Sequence, residues 1–142
     1  VIRSCMDEIL EFLLRHASFL YKEYGCKFID SQVSKSFGGD AVLVLATKKL
    51  RLRLISDRSQ LFADFADASA TVNSKSEWFS IGVVRKYVTG ETEFYDELKE
   101  DNAEFLRAHF RRIEEMFDAS VLPETRKHLQ KLEAERAKKL FG

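Results

Sequence analysis

The 142-residue chain balances 23 basic against 23 acidic residues, and 45% of it is hydrophobic. That length is enough to bury the core of one domain, residues 1–142, without a covalent or metal staple. Zero net charge excludes the strongly basic footprint of a dedicated nucleic-acid binder, and the longest apolar run, Ala41 to Ala46, is far too short to span a bilayer.

Cys5 and Cys26 fall at opposite ends of the first helix of the sequence, about 30 Å apart at 1.5 Å per residue, so they are expected to be unbridged thiols. With no signal-peptide pattern, this suits a reducing cytoplasm.

In chain order, Ser4 followed by Asp7 and Glu8 marks a helix start, and the acids complement the helix dipole. Met6, Ile9, Leu10, Leu13, Ala17, Leu20 and Tyr24 recur at helical spacing, and Gly25 supplies a left-handed stop. Lys27 to Val33 reads as a strand whose poor alternation suits a sheet edge, followed by a loop at Ser36 to Asp40 containing Gly38 and Gly39.

Ala41 to Asp67 is the clearest segment. Leu50, Leu52 and Leu54 alternate with Arg51 and Arg53, so one strand face is apolar and the other charged. A two-residue turn at Lys48–Lys49 places Leu45 opposite Leu52 and Leu43 opposite Leu54; a turn over Asp57 to Gln60 places Leu54 opposite Ala63 and Leu52 opposite Phe65. The same register sets Val42, Ile55 and Phe62 in one row of the outer face and Val44, Arg53 and Asp64 in the next. This outer face is expected to be covered by a helix, taken by a partner, or left as a patch. Arg53, lying on it, is expected to be replaceable by Gln at little cost to the free protein.

Ser74 with Glu77 forms a capping-box pattern before Trp78, Ile81, Val84 and Val88, which predicts a helix ending at Gly90. Phe79, Ile81 and Val83 also alternate as a strand would, so residues 77–89 are open to both readings. A long amphipathic helix is expected from Glu93 to Phe117, then a last helix opened by Pro123 and carrying Leu129, Leu132 and Leu140 on one side. The whole is an α+β domain: a four-stranded antiparallel meander packed with one N-terminal helix and the C-terminal helices, in the order αββββααα.

No catalytic motif is present: the chain has no HExxH, Walker-type glycine loop, GxSxG elbow or paired-cysteine motif, and His16, His109 and His128 lack metal-ligand spacing. No catalytic residue, metal or cofactor is assigned, and a non-enzymatic role is expected. Two charge clusters stand out. Between Glu91 and Glu104, seven acids (Glu91, Glu93, Asp96, Glu97, Glu100, Asp101, Glu104) meet only Lys99, a helix start suited to docking a basic partner. Between Lys48 and Arg58, Lys48, Lys49, Arg51, Arg53 and Arg58 face only Asp57. With Val42, Val44, Ile55, Phe62 and Asp64, the arginines make an alternative surface for RNA or an acidic protein. Much of the positive charge of the last helix lies near its C-terminus, where it complements the dipole and can partly cancel the acidic run.

The meander "LRLRLISDRSQLFADF", the late helix "FRRIEEMF" and the tail "ERAKKLFG" resemble small bacterial proteins of uncharacterised or immunity type, encoded beside polymorphic toxins. The resemblance lies in the order of elements and carries no residue-level motif. It implies a cytoplasmic, non-enzymatic inhibitor that binds a toxin domain. For a basic toxin the acidic run would raise the association rate by charge complementarity. The alternative is a nucleic-acid-associated or regulatory module using Arg51, Arg53 and Arg58.

Overall fold

The computed structural model describes residues 4–34, 40–72 and 78–141. The loop expected at Ser36 to Asp40 and the capping pair Ser74 and Glu77 lie largely or wholly outside them. The chain is α+β: α1 (Cys5–His16) and α2 (Phe19–Lys22), strands β1 (Lys27–Val33), β2 (Ala41–Ala46), β3 (Leu50–Asp57), β4 (Gln60–Asp67) and β5 (Phe79–Ser80), then α3 (Ile81–Thr89), α4 (Glu100–Met116) and α5 (Leu122–Phe141). The strands form one antiparallel sheet in sequential order.

The meander register is the expected one. Leu43 pairs with Leu54 and Leu45 with Leu52, and across the next hairpin Leu52 pairs with Phe65 and Leu54 with Ala63. These side chains are almost fully buried and share one core with Ile9 and Leu13 of α1 and Phe110, Ile113 and Phe117 of α4. The inner face also buries Ser56, whose hydroxyl donates to Glu8 Oε2 at 2.9 Å, so the polar group that α1 covers is satisfied by α1 itself.

The two hairpin turns solve opposite problems. Neither Lys48 nor Lys49 takes positive φ, and Thr47 Oγ1 accepts from the backbone N–H groups of Lys49 and Leu50, so this turn needs no glycine. Arg58 and Ser59 sit at φ 51° and 68°, the left-handed pair of a tight hairpin, although neither is Gly, Asn or Asp.

Three elements differ from the sequence expectation. The sheet has five strands, not four, because residues 77–89 satisfy both of their periodicities in turn: Phe79–Ser80 pairs with Asp64 and Phe65 of β4, and the helix starts one residue later with Ser80 as its N-cap. The first helix breaks at Ala17, whose non-helical backbone (φ −134°) ends α1 before the short α2, although Gly25 does adopt the expected positive φ of 68°. The long helix begins at Glu100 rather than Glu93. Residues ahead of it are drawn into sheet contact, with Leu98 N–H donating to Leu61 C=O at 2.7 Å and Glu97 bridging Phe62.

Asp67 ends β4 and anchors the start of α5. Burial by itself would raise its carboxyl, but hydrogen bonds from the Ser69 side chain and backbone and the Arg126 guanidinium at 3.1 Å outweigh that and hold it below the usual aspartate range.

Two stability predictions follow from these junctions. Replacing Arg58-Ser59 by Asn-Gly should raise unfolding free energy by about 1 kcal/mol, read as a higher denaturant midpoint at unchanged slope. Asp67→Asn should cost about 1–2 kcal/mol at pH 7. Because the folded-state pKa is lowered, the wild type's advantage is full above the unfolded pKa and disappears as the pH falls through the folded one; thermal melts from pH 7 into the acid range measure this.

Candidate functional site

The outer sheet face begins with a conflict that burial of the leucines creates. Placing Leu50, Leu52 and Leu54 in the core sends Arg51 and Arg53 to the other side, where guanidinium groups need water or acceptors. The segment after β4 folds back to provide them. Arg51 donates to the Ala70 carbonyl, and Arg53 donates to Val72 C=O at 2.8 Å and to Asp64 Oδ2 through Nε at 3.0 Å. Trp78 closes this end: its ring lies 4.4 Å from the Arg53 guanidinium carbon, and its indole N–H donates to Thr71 C=O at 2.9 Å. Arg53 is thus a half-buried organising residue, contrary to the expectation that Gln would replace it cheaply. Lys49 is engaged by Glu115 at 2.7 Å and Asp118 at 3.6 Å, whereas Arg58 at the β3–β4 turn keeps 87% of its side chain exposed.

The acidic run is largely matched from within the chain. Arg85 of α3 bonds Glu91 at 3.1 Å and Asp101 at 3.0 Å, and its guanidinium lies over the Tyr95 ring. Arg136 of α5 bonds both oxygens of Asp96 at 2.8 Å. Glu97 lies 3.7 Å from Lys99, and Glu100 lies 3.8 Å from His16. Glu93 and Glu104 are exposed, with no ion-pair partner among the described residues. Fully buried Asn102 completes the arrangement by donating to the carbonyls of Tyr95 and Glu97 at 2.8 Å each, which holds the segment ahead of α4 in its extended path. Of the seven acids, Glu91, Asp96 and Asp101 fasten α3 and α5, Glu97 and Glu100 lie beside Lys99 and His16, and Glu93 and Glu104 face solvent.

The outer-face row Val42, Ile55 and Phe62 is half-buried, whereas Val44 is buried. The last turns of α5 hang over the Phe62 end of this row without closing on it, leaving a cleft of about 600 Å³. Its apolar lining includes Ile55, Phe62, Ala137 and Leu140, and its charged lining includes Asp57, Asp64, Asp96, Glu133 and Arg136. Asp64 is neutralised by Arg53 and Asp96 by Arg136. Glu133 has no hydrogen-bonded or ion-paired partner among the described residues. Burial pushes its carboxyl above the usual range; Arg136 pulls against the rise and Asp64 adds to it. An apolar floor beside an unmatched carboxylate accommodates a cationic head on an apolar stem.

Sequence reasoning brought Val42, Ile55, Phe62 and Asp64 together correctly but missed Glu133, Arg136 and Leu140. The available signal was their spacing of i, i+3 and i+7, which puts them on one stripe of α5 beyond the point where Leu129 leaves the core. His16 neighbours Phe12, His109 neighbours Phe105 and His128 stacks on Tyr87, and no group of three or more His, Cys, Asp or Glu among the described residues is arranged to hold a metal. Both cysteines are free of disulfides, and burial pushes the Cys26 thiol up to about 12. No helix among the described residues is long and apolar enough to cross a membrane. Comparison with protein-family models, with curated proteins and with solved structures returns no match.

Asp96 is pinned against the first turn of α3, where a Cβ built on Gly82 would fall inside its carboxyl group. In an ordinary helix Gly→Ala stabilises by about 1 kcal/mol. Here Gly82→Ala should instead destabilise by about 1–3 kcal/mol, because Asp96 must leave its place and release Arg136. Chemical denaturation of the single variants and of Gly82→Ala/Asp96→Ala checks this: with Asp96 truncated, the alanine at 82 should cost markedly less.

Proposed function

We propose that this chain is a non-enzymatic protein-binding domain that receives a basic, apolar-stemmed segment of a partner protein in the cleft between the outer sheet face and α5. The observation that carries this reading is the pairing of the half-exposed Ile55–Phe62 floor with the unmatched carboxylate of Glu133. A lysine or arginine laid along that floor would bury its methylenes and present its charge to Glu133, while the solvent-facing acids Glu93 and Glu104 steer a basic partner at longer range. The narrower form of the proposal is an immunity-type inhibitor of a bacterial toxin domain, supported by the resemblance in element order and by the cleft's preference for cations. Of the three arginines on which a nucleic-acid reading depended, Arg51 and Arg53 are engaged by Asp64 and by the carbonyls of Ala70 and Val72, which leaves only Arg58 exposed and disfavours that alternative.

Co-purification with the product of the neighbouring reading frame, followed by titration calorimetry, tests the proposal. Glu133→Lys should weaken binding by about 10- to 100-fold without lowering Tm, and Phe62→Asp should abolish it. Cation binding favours the ionised form of Glu133, so wild-type affinity should fall as the pH drops through its raised pKa, and Glu133→Gln should remove that dependence. A complex that forms equally well with Glu133→Lys and Phe62→Asp places the partner elsewhere and overturns the cleft assignment.

A further inference from the structure

The opposite margin of the sheet carries a second surface. Among the described residues β1 pairs only with β2, and all seven of its residues are exposed. Its ladder fixes which main-chain groups are free. Ser34 N–H donates to Asp40 C=O at 2.8 Å, and pairing alternates from there, so the backbone groups of Ser31 and Val33 point away from β2. The Ser31 N–H is occupied by the neighbouring Asp30 carboxylate at 2.8 Å, a bond that an incoming strand can exchange for a carbonyl.

Beside this edge lies an apolar shelf. Glu8 and Phe12 of α1 face Ser56 and Leu61, toward β3 and β4. At 3.6 residues per turn, Leu10 and Leu14 therefore lie on the opposite flank of α1, toward β2 and β1. Leu14 is 71% exposed, Val33 55%, Phe28 51% and Leu10 43%. Phe28 and Val33 pair with Leu45 and Ala41 and so share the inner face that α1 covers. Together these four side chains expose on the order of 450 Å² of apolar surface, within the range of the largest patch a monomer leaves bare.

From this edge and shelf we infer that β1 is a self-association interface, in which a second copy of this chain adds its own β1 antiparallel to the first and the two sheets become continuous. A free strand edge requires an extended occupant, and a two-fold axis through Ser31 supplies one from the same sequence. In that register Asp30 faces Gln32 of the other copy and Val33 meets the bulge at Ile29, so no like charges oppose one another between residues 29 and 33. The chain's zero net charge leaves no long-range repulsion between copies. The apolar shelf plus the strand backbone approaches the roughly 800 Å² per partner of a stable interface. The cleft beside α5 lies at the far side of the sheet from β1 and stays open in this dimer.

Sedimentation equilibrium of the wild type, Leu14→Glu and Val33→Pro decides the matter. The wild type should sediment at twice the 16.4 kDa chain mass by about 100 μM. Leu14→Glu adds a charge to the shelf, and Val33→Pro removes one outward N–H; each should raise the dimer dissociation constant by about 100-fold while leaving the circular dichroism spectrum and Tm unchanged. Leu14 is mostly solvent-exposed, so its variant remains informative even if the proline disturbs β1. A wild type that stays monomeric at about 100 μM overturns the inference and leaves the edge to a different protein. So does a dimer that neither variant weakens. A dimer weakened by Leu14→Glu but not by a folded Val33→Pro would be helix-mediated and would overturn strand pairing.

Discussion

The structure depends on the alternation in β3. A strand that buries Leu50, Leu52 and Leu54 has no freedom to bury or withdraw Arg51 and Arg53, because successive side chains leave opposite faces. The two guanidinium groups need acceptors on the outer face, and the chain supplies its own carbonyls at Ala70 and Val72, Asp64 across the strand and, for Arg53, the Trp78 ring, although Arg51 Nε keeps no hydrogen-bond partner among the described residues. The path of the residues after β4 is therefore set by the hydrogen-bonding demand of arginines on β3 more than by hydrophobic burial. Phe79 and Ser80 then pair with the edge of β4 and make the fifth strand.

A second pair of arginines does the same for the helices. Arg85 gathers Glu91 and Asp101, and Arg136 holds Asp96 against the first turn of α3. The Arg136 Nη1 group bonds both carboxylate oxygens of Asp96, and charge-assisted hydrogen bonds are directional, so this contact fixes the angle at which α5 leaves the core as well as attracting it. The consequence is geometric: α5 overhangs the outer face at Phe62 instead of packing on it, and the cleft with Glu133 is the space left between them. The candidate site is thus a by-product of where charge had to be satisfied.

The meander register was legible because two independent constraints agreed, an apolar period of two and turns of definite length; a slip of one residue would have exposed every leucine. The exposed margin of β1 was legible for the converse reason, since residues that alternate poorly have no buried face to specify. The start of α4 was not legible. Glu93 to Leu98 has acceptable helix composition, but the fully buried Asn102 binds the carbonyls of Tyr95 and Glu97, and Leu61 takes the N–H of Leu98, so tertiary hydrogen bonds override local propensity. The charge clusters were visible as counts, yet a count made along the chain misses cations arriving from α3 and α5.

The sequence by itself determined the fold class, the leucine face, the rows of the outer face and the helix stop at Gly90, all of which follow from backbone sterics and short-range periodicity, whereas the first helix stops at Ala17 and the short α2 at Glu23, ahead of Gly25. Only the tertiary structure decided which charges remain available. Arg53, Arg85 and Arg136 find their partners 11, 6 to 16 and 40 residues away, and Glu133 finds none among the described residues. Whether a charged side chain is a fastening or a binding group depends on what the fold brings within about 3 Å of it, a distance that sequence separation does not encode.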